Sequence, residues 1–274
     1  MFFRVKDGMG RFASEARFCQ FGSNNSRSVF MKKLMMVAAV GFAAFAATAE
    51  DSGVDRAWNW SPIGVGIAAP IQLPFTDTDI YGLRFGGFFS RNNDVYGIDG
   101  GVVGMNNGEF AGVQANVFNW SSKDVYGIQA GPLANIVHGH FEGIQLGTFN
   151  IVYSETTLGL QVGALLNYNV SFAGVQVSAL NWETTKFSGL SVGLLANVVK
   201  EDAAGFAIAP INCMNRFVGF ELGAINLAEE CVGFQLGFFN AANSLSGLQI
   251  GVLNLVCTDP LLNVPVLPIA NASF

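Results

Sequence analysis

The sequence predicts an all-β protein built from tandem units of about 15 residues. Three observations carry that reading. A glycine recurs at intervals of 14 to 16 residues, the residues around it alternate with period two, and polar turn residues separate one unit from the next. The anchoring glycines are Gly82, Gly97, Gly112, Gly127, Gly143, Gly159, Gly174, Gly189, Gly205, Gly219, Gly233 and Gly247.

With that glycine as position 1, positions 2 and 7 are apolar in all twelve units and position 5 is Gly in nine. Position 3 is Gln in seven: Gln114, Gln129, Gln145, Gln161, Gln176, Gln235 and Gln249. Ten units place an Asn just after the apolar stretch, at Asn119, Asn135, Asn150, Asn167, Asn181, Asn197, Asn212, Asn226, Asn240 and Asn254. Turns such as Ser121-Ser122-Lys123-Asp124 and Glu183-Thr184-Thr185-Lys186 follow and absorb the variation in length. Each unit therefore reads as one strand plus one turn.

Period two puts positions −1, 1, 3, 5 and 7 on one strand face and positions 0, 2, 4 and 6 on the other. The second face is continuously apolar; the first is a large apolar residue, Gly, Gln, Gly and a large apolar residue, as in Phe172, Gly174, Gln176, Ser178 and Leu180 with Ser in place of the second Gly. Neither suits a sheet with one side in water. The order is also nearly symmetric about the Gln, so antiparallel neighbours aligned there would set Gly against Gly and Gln against Gln. Arg84 and Asp99 take position 3 in the first two units, which points to a cross-strand ion pair in place of a Gln pair.

Two architectures satisfy this pattern. The first is an antiparallel β-barrel of about 12 to 14 strands, whose ten-residue strands, tilted, span roughly 25 Å of outer-membrane apolar band. The apolar face would meet lipid and the Gly-Gln-Gly face would line the interior. The alternative is a parallel β-solenoid, one coil per unit, in which Asn and Gln form ladders; uniformly short turns favour it, since barrels alternate short turns with long loops. The symmetry of the unit and the confinement of charge to the turns tip the expectation to the barrel.

Composition sets further bounds. A formal charge of −6, 51% hydrophobic residues and a mean hydropathy of +0.39 describe a chain that buries a large surface. No apolar run reaches the roughly 18 to 20 residues of a transmembrane helix. Met31-Lys32-Lys33, an apolar stretch to Ala47 and Ala47-Thr48-Ala49 have the three zones of a secretory signal, with cleavage expected after Ala49. Residues 1–30 would then be an upstream segment from a start called too early, without structure, and 31–49 the signal peptide. Residues 50–60 read as a linker and 61–274 as one β-repeat domain, with twelve repeats over 81–260 and a closing segment over 261–274. Within the latter two, Pro62 to Ala69 reads as an extra strand and Leu261 to Ile269 as a resumed apolar run.

Seven of the 14 basic and 18 of the 20 acidic groups follow residue 49, a formal charge of −11. An acidic exported chain with no basic cluster is a poor match to nucleic acid. Cys213, Cys231 and Cys257 permit at most one internal bridge, with Cys213 and Cys231 in neighbouring units, although small apolar fillers is the simpler reading. His138 and His140 share one turn, with no ligand set around them to hold a metal. No HExxH, phosphate-loop or nucleophile-elbow motif occurs, so the chain is expected to be non-enzymatic and to use no cofactor. Trp120, Trp182, Tyr153 and Tyr168 lie at strand ends, where an interfacial aromatic girdle would sit. Glu221 replaces Gln at position 3 and either projects into an interior or is paired or solvated.

Phe172-Ala173-Gly174-Val175-Gln176-Val177, Val232-Gly233-Phe234-Gln235-Leu236-Gly237-Phe238-Phe239-Asn240 and Ser246-Gly247-Leu248-Gln249-Ile250-Gly251-Val252-Leu253-Asn254 resemble the repeats of a bacterial exported surface-repeat family. The resemblance covers residues 81–256, and the ends Pro70-Ile71-Gln72-Leu73-Pro74 and Pro268-Ile269-Ala270-Asn271 look like that family's ends. It implies an outer-membrane or cell-surface location in a Gram-negative-type bacterium and brings no catalytic residues. Units 1, 2, 8, 9 and 10 depart at position 3, so the Gln row is interrupted. The expectation is a structural, pore-like or adhesive surface protein in contact with outer-membrane lipid. The alternative is a secreted solenoid that binds a partner or carbohydrate along a flat face.

Overall fold

The computed structural model describes residues 59–68, 71–258 and 264–273. The segments read as upstream sequence and signal peptide, and the terminal Phe274, lie outside the described residues. Every regular element among the described residues is a strand. In chain order these are β1 (Trp60–Ala68), β2 (Ile71–Leu73), β3 (Asp79–Asn92), β4 (Val95–Asn106), β5 (Phe110–Ser121) and β6 (Val125–Val137). There follow β7 (Phe141–Val152), β8 (Thr157–Ile208), β9 (Ile211–Leu222), β10 (Ile225–Leu236), β11 (Phe239–Thr258) and β12 (Val266–Ser273).

From β3 to β11 the units wind as coils of a parallel β-solenoid. Each unit pairs in parallel with the next, in register, so Gly127 faces Gly143, Gln129 faces Gln145 and Asn135 faces Asn150. The expected antiparallel barrel of 12 to 14 strands is therefore incorrect, and the parallel solenoid holds. The mirror symmetry of the unit did not discriminate, because stacking like on like also sets Gly on Gly and Gln on Gln. What distinguishes the two is the Asn column. It lies off the symmetry centre, so only parallel winding brings Asn against Asn.

Each coil is nearly one extended segment bent at a corner. The ladder register shifts between Gly86 and Phe89, Ala115 and Phe118, Gly131 and Ala134, and Gly147 and Phe149, which marks the bend at the second glycine of the unit. Residues before the bend form one sheet face, and residues after it fold back as a second face. The polar turns make the opposite edge. In β8 the chain keeps strand geometry through the turns, so a single 52-residue strand spans four units.

Core side chains come from both faces. Position −1 is buried in all twelve units, from Ile80 and Val95 to Cys231 and Leu245. Against it, from the second face, stand Val137 and Val152 in one cluster and Val199, Met214 and Val256 in another. Twelve coils at about 4.8 Å give a rod of about 58 Å.

The position 1 glycines share one unusual backbone conformation, with φ between 120° and 151° in all twelve. A side chain at Gly143 would run into the carbonyl oxygen of Gly127 in the coil below. The repeat keeps Gly here because the backbone demands it twice, by dihedral and by close approach.

The ends of the ladder are different. β12 pairs antiparallel with β11, and β2 pairs antiparallel with β1, which itself runs parallel to β3. Antiparallel strands at both ends replace the repeating edge that would otherwise invite a further coil.

Candidate functional site

The interior is polar along most of its length, and its chemistry follows from the stacking. In a parallel in-register ladder each side chain meets its own kind about 4.8 Å away, a spacing that primary amides bridge by hydrogen bonds. Position 3 is buried in all twelve units. Gln129 donates to Gln114 at 2.8 Å, Gln145 to Gln129 at 2.9 Å and Gln161 to Gln145 at 2.8 Å, each toward the N-terminal end. Gln249 donates to Gln235 at 2.7 Å in the same sense.

The Asn column runs unbroken from Asn119 to Asn254 with the opposite polarity, each amide donating toward the C-terminal end. Most also donate to a main-chain carbonyl of the next coil, as Asn135 does to Leu146 at 2.9 Å. Two amide ladders of opposed direction cancel much of each other's dipole along the rod.

The predicted position 3 residues are thus brought together, and three carboxyl groups mark where the ladders start or break. Arg84 pairs bidentately with Asp99, Nε to Oδ1 at 2.7 Å and Nη2 to Oδ2 at 2.6 Å, and donates to the Met105 carbonyl at 3.0 Å. Gln114 and Asn116 add bonds to Oδ2 at 2.9 and 2.7 Å, so this buried carboxylate caps the first Gln run. Glu221 caps the second run in the same way, accepting from Gln235. Its burial pushes its pKa up to about 8.

Glu183, which the sequence reading placed in a turn, is fully buried near Gln176 and Asn169 without a well-formed hydrogen bond to either. Desolvation lifts it to about 8. There the Gln run breaks: Gln176 donates the other way, to Ser191 at 3.0 Å, and its own carbonyl oxygen finds no donor. Ser191 and Ala207 then take position 3, and Met214 and Phe217 fill the space.

The outside is the inverse of the inside. Among the described residues 33 buried side chains are polar against 24 apolar, while 38 large apolar side chains are exposed. On the first face, outward positions 2 and 4 carry no polar side chain in any unit. They run from Leu83 and Phe85, the latter 70% exposed, through Leu146 and Val162 to Phe234 and Leu248. The corner is apolar too apart from Thr148, with Phe88, Leu194 and Phe238 each about 70% exposed. An apolar cleft of about 470 Å³ opens there, lined in part by Leu222, Gly237, Phe238, Val252 and Ile269. Outward positions of the second face are apolar too, apart from Arg91. Over residues 79–258 the outward charges, Arg91 and Glu142 apart, lie in the turns.

Aromatic side chains sort by depth between corner and turn. On the first face Tyr81, Tyr96 and Tyr126 sit at position 0, next to the turns; Tyr81 stacks on Tyr96 at 5.1 Å and meets Trp60 edge-on at 6.2 Å. Burial and a hydrogen bond to Glu109 push the Tyr96 phenol up to about 12. On the second face a stack along the turn edge runs from Trp120 through His138 and Tyr153 to Tyr168, with ring centroids 4.6, 5.1 and 5.9 Å apart. Trp182 lies on the same line under the Lys200 ammonium, 5.3 Å away. Phe side chains lie on the faces and at the corner, as in the Phe206, Phe220 and Phe234 ladder.

His138 and His140 are separated by function. Burial in the ring stack lowers the pKa of His138, whereas His140 bonds Thr156 through Nδ1 at 2.7 Å and lies 3.8 Å from Glu142. Among the described residues no three His, Cys, Asp or Glu side chains converge to hold a metal ion. Cys231 faces the core as a free thiol, its pKa raised by burial, and Cys257 is also free, so the considered bridge between Cys213 and Cys231 does not form.

The sequence reading missed the outward direction of position 2 only in its consequence: it took the apolar face for a barrel wall. It missed Glu183 altogether. The signal was present, since Glu183 falls at the same distance after Asn181 as Asn169 does after Asn167. Comparison with protein-family models, with curated proteins and with solved structures gave no match to this chain.

Proposed function

We propose that this protein is an exported, non-enzymatic β-solenoid scaffold that binds a partner along its flat apolar surface. One observation carries the reading. Twenty-four outward positions on one face, two per coil over twelve coils, hold no polar side chain. A surface that is apolar over a rod length of about 58 Å far exceeds the few hundred Å² that isolated soluble proteins expose.

The polar groups that could react are used structurally. Asp99 is saturated by Arg84, Gln114 and Asn116, and the Gln and Asn amides bond one another. The signal-like segment before Ala49 and the resemblance to surface-repeat proteins support export. Both fit a protein whose repeat is its working part.

Sedimentation of the full chain tests this, with and without mild detergent. The expected result is self-association or detergent binding that Val175→Lys with Leu160→Lys abolishes, while the far-ultraviolet circular dichroism of the strands is kept. A monomer that binds neither detergent, vesicles nor its own copies would end the proposal.

A further inference from the structure

The apolar surface covers two faces and a corner, and a protein partner on one face would leave the rest in water. A second copy packed face to face meets the same objection. The pattern calls for a surrounding medium rather than a single docking plane. We infer that the rod lies along a lipid bilayer with its corner sunk in one leaflet and its charged turn edge among the headgroups. This rests on the flat-surface reading above and goes beyond it by naming the partner and the depth.

Three features of different origin agree on that orientation. Charge comes first: the corner and the outward rows beside it carry none, and the ionised side chains of residues 79–258 that do face out gather at the turns. Those that the interior holds are enclosed, as Arg84 and Asp99 are.

The aromatic residues form the second. All five tyrosines of the chain, and the three described tryptophans, lie on the line between apolar faces and charged edge. The outward Phe side chains of the coils, such as Phe85, Phe206, Phe220, Phe234 and Phe238, lie beyond that line. Tyr and Trp collect where one end of the ring meets hydrocarbon and the other meets water, whereas Phe has no polar end to keep wet.

Depth is the third. From position 0 to the corner glycine is five residues, about 17 Å of extended chain at about 3.3 Å each. Half of a bilayer's hydrocarbon is about 15 Å. The rod therefore reaches the midplane from one side without spanning the membrane. Its backbone tolerates this because neighbouring coils satisfy one another's amides and carbonyls, and its Gln and Asn columns are turned inward and bond along the rod.

The turn edge is acidic over most units, with Asp94, Glu109, Asp124, Glu155, Glu201 and Glu230 outnumbering the bases. Binding should therefore need no anionic lipid.

Flotation of the full chain with phosphatidylcholine vesicles, followed by depth-dependent quenching, tests the orientation. A tryptophan added at the corner by Leu194→Trp should be quenched most by lipids brominated deep in the chain, and the native tryptophans by shallow bromines. Leu194→Asp with Leu195→Asp should lower vesicle partition by about tenfold or more, because charge in hydrocarbon is costly. Glu229→Gln with Glu230→Gln should not. Phosphatidylglycerol vesicles should bind no better than phosphatidylcholine. A folded chain that floats but whose corner is quenched shallowly, or is reached from the opposite side, would overturn the leaflet geometry. A stable soluble dimer that ignores vesicles would overturn it while leaving the flat-surface reading in place, and a monomer that binds nothing would remove both.

Discussion

The Arg84 guanidinium holds both oxygens of Asp99 at 2.7 and 2.6 Å, with the two side chains 1% and 0% exposed. Removing one partner leaves a buried charge that nothing else neutralises. Asp99→Ala is expected to lose about 3–5 kcal/mol, read from the urea midpoint. The double variant Arg84→Gln with Asp99→Gln extends the Gln ladder by two rungs and should fall within about 1 kcal/mol of the parent, because a paired buried charge contributes little net stability. A double variant as unstable as Asp99→Ala would show that the ladder does not accept Gln at these positions.

Glu183 and Glu221 make stability depend on pH in an unusual direction. Their folded pKa values near 8 exceed the unfolded value of 4.5, so the folded state holds more protons between those limits. Stability is therefore full below about pH 4.5 as far as these groups go, and is lost as pH rises toward 8. Glu183→Gln keeps the shape and removes the titration. It should reduce the slope of the melting temperature between pH 5 and 8 by about half, with Glu221 carrying the remainder, and raise stability at pH 8 by a few kcal/mol, on the order of the shift itself. An unchanged slope would show that Glu183 is ionised in the folded protein.

The glycine columns should respond unequally to one added methyl group. Gly143→Ala forces a Cβ into the Gly127 carbonyl at a φ of 144° and is expected to cost more than about 3 kcal/mol. Gly100 lies at position 4, where an added Cβ finds its nearest neighbour at 3.8 Å and the following units already carry Ala115 and Ala130. Gly100→Ala should change stability by no more than about 0.5 kcal/mol. Thermal unfolding of both variants separates a conformational demand from general glycine richness.

In the Asn ladder, Asn181 accepts from Asn167 at 3.0 Å and donates to Asn197 and to the Val192 carbonyl, both at 2.9 Å. Asn181→Ala breaks the chain of amides in the middle and strands groups on both sides. A loss of about 2 kcal/mol or more is expected, since each buried orphan costs about 1–3 kcal/mol. Asn181→Asp replaces the donor with acceptors facing the Asn197 oxygen and should be worse at neutral pH than Asn181→Ala. The order of the two variants in chemical denaturation is the measurement.

Much of this molecule was legible without coordinates. The twelve glycines set the repeat, period two set which residues share a face, and the paired substitutions Arg84 and Asp99 marked two neighbouring rungs. What misled was the near symmetry about Gln, which both directions of winding satisfy. The ten Asn residues, lying to one side of that symmetry, held the answer: a column that must bond to itself in every coil requires coils that run the same way.

Local patterning thus sets the length of the unit, the strand character and the alternation of faces, because these depend on residues a few positions apart. Direction of winding, which apolar face looks outward and the burial of Glu183 depend on contacts between residues fourteen to seventeen apart, made only when one coil closes on the next. Those contacts turned the amides inward and the aliphatic rows outward, and it is that inversion, invisible in any single repeat, from which the lipid-facing surface arises.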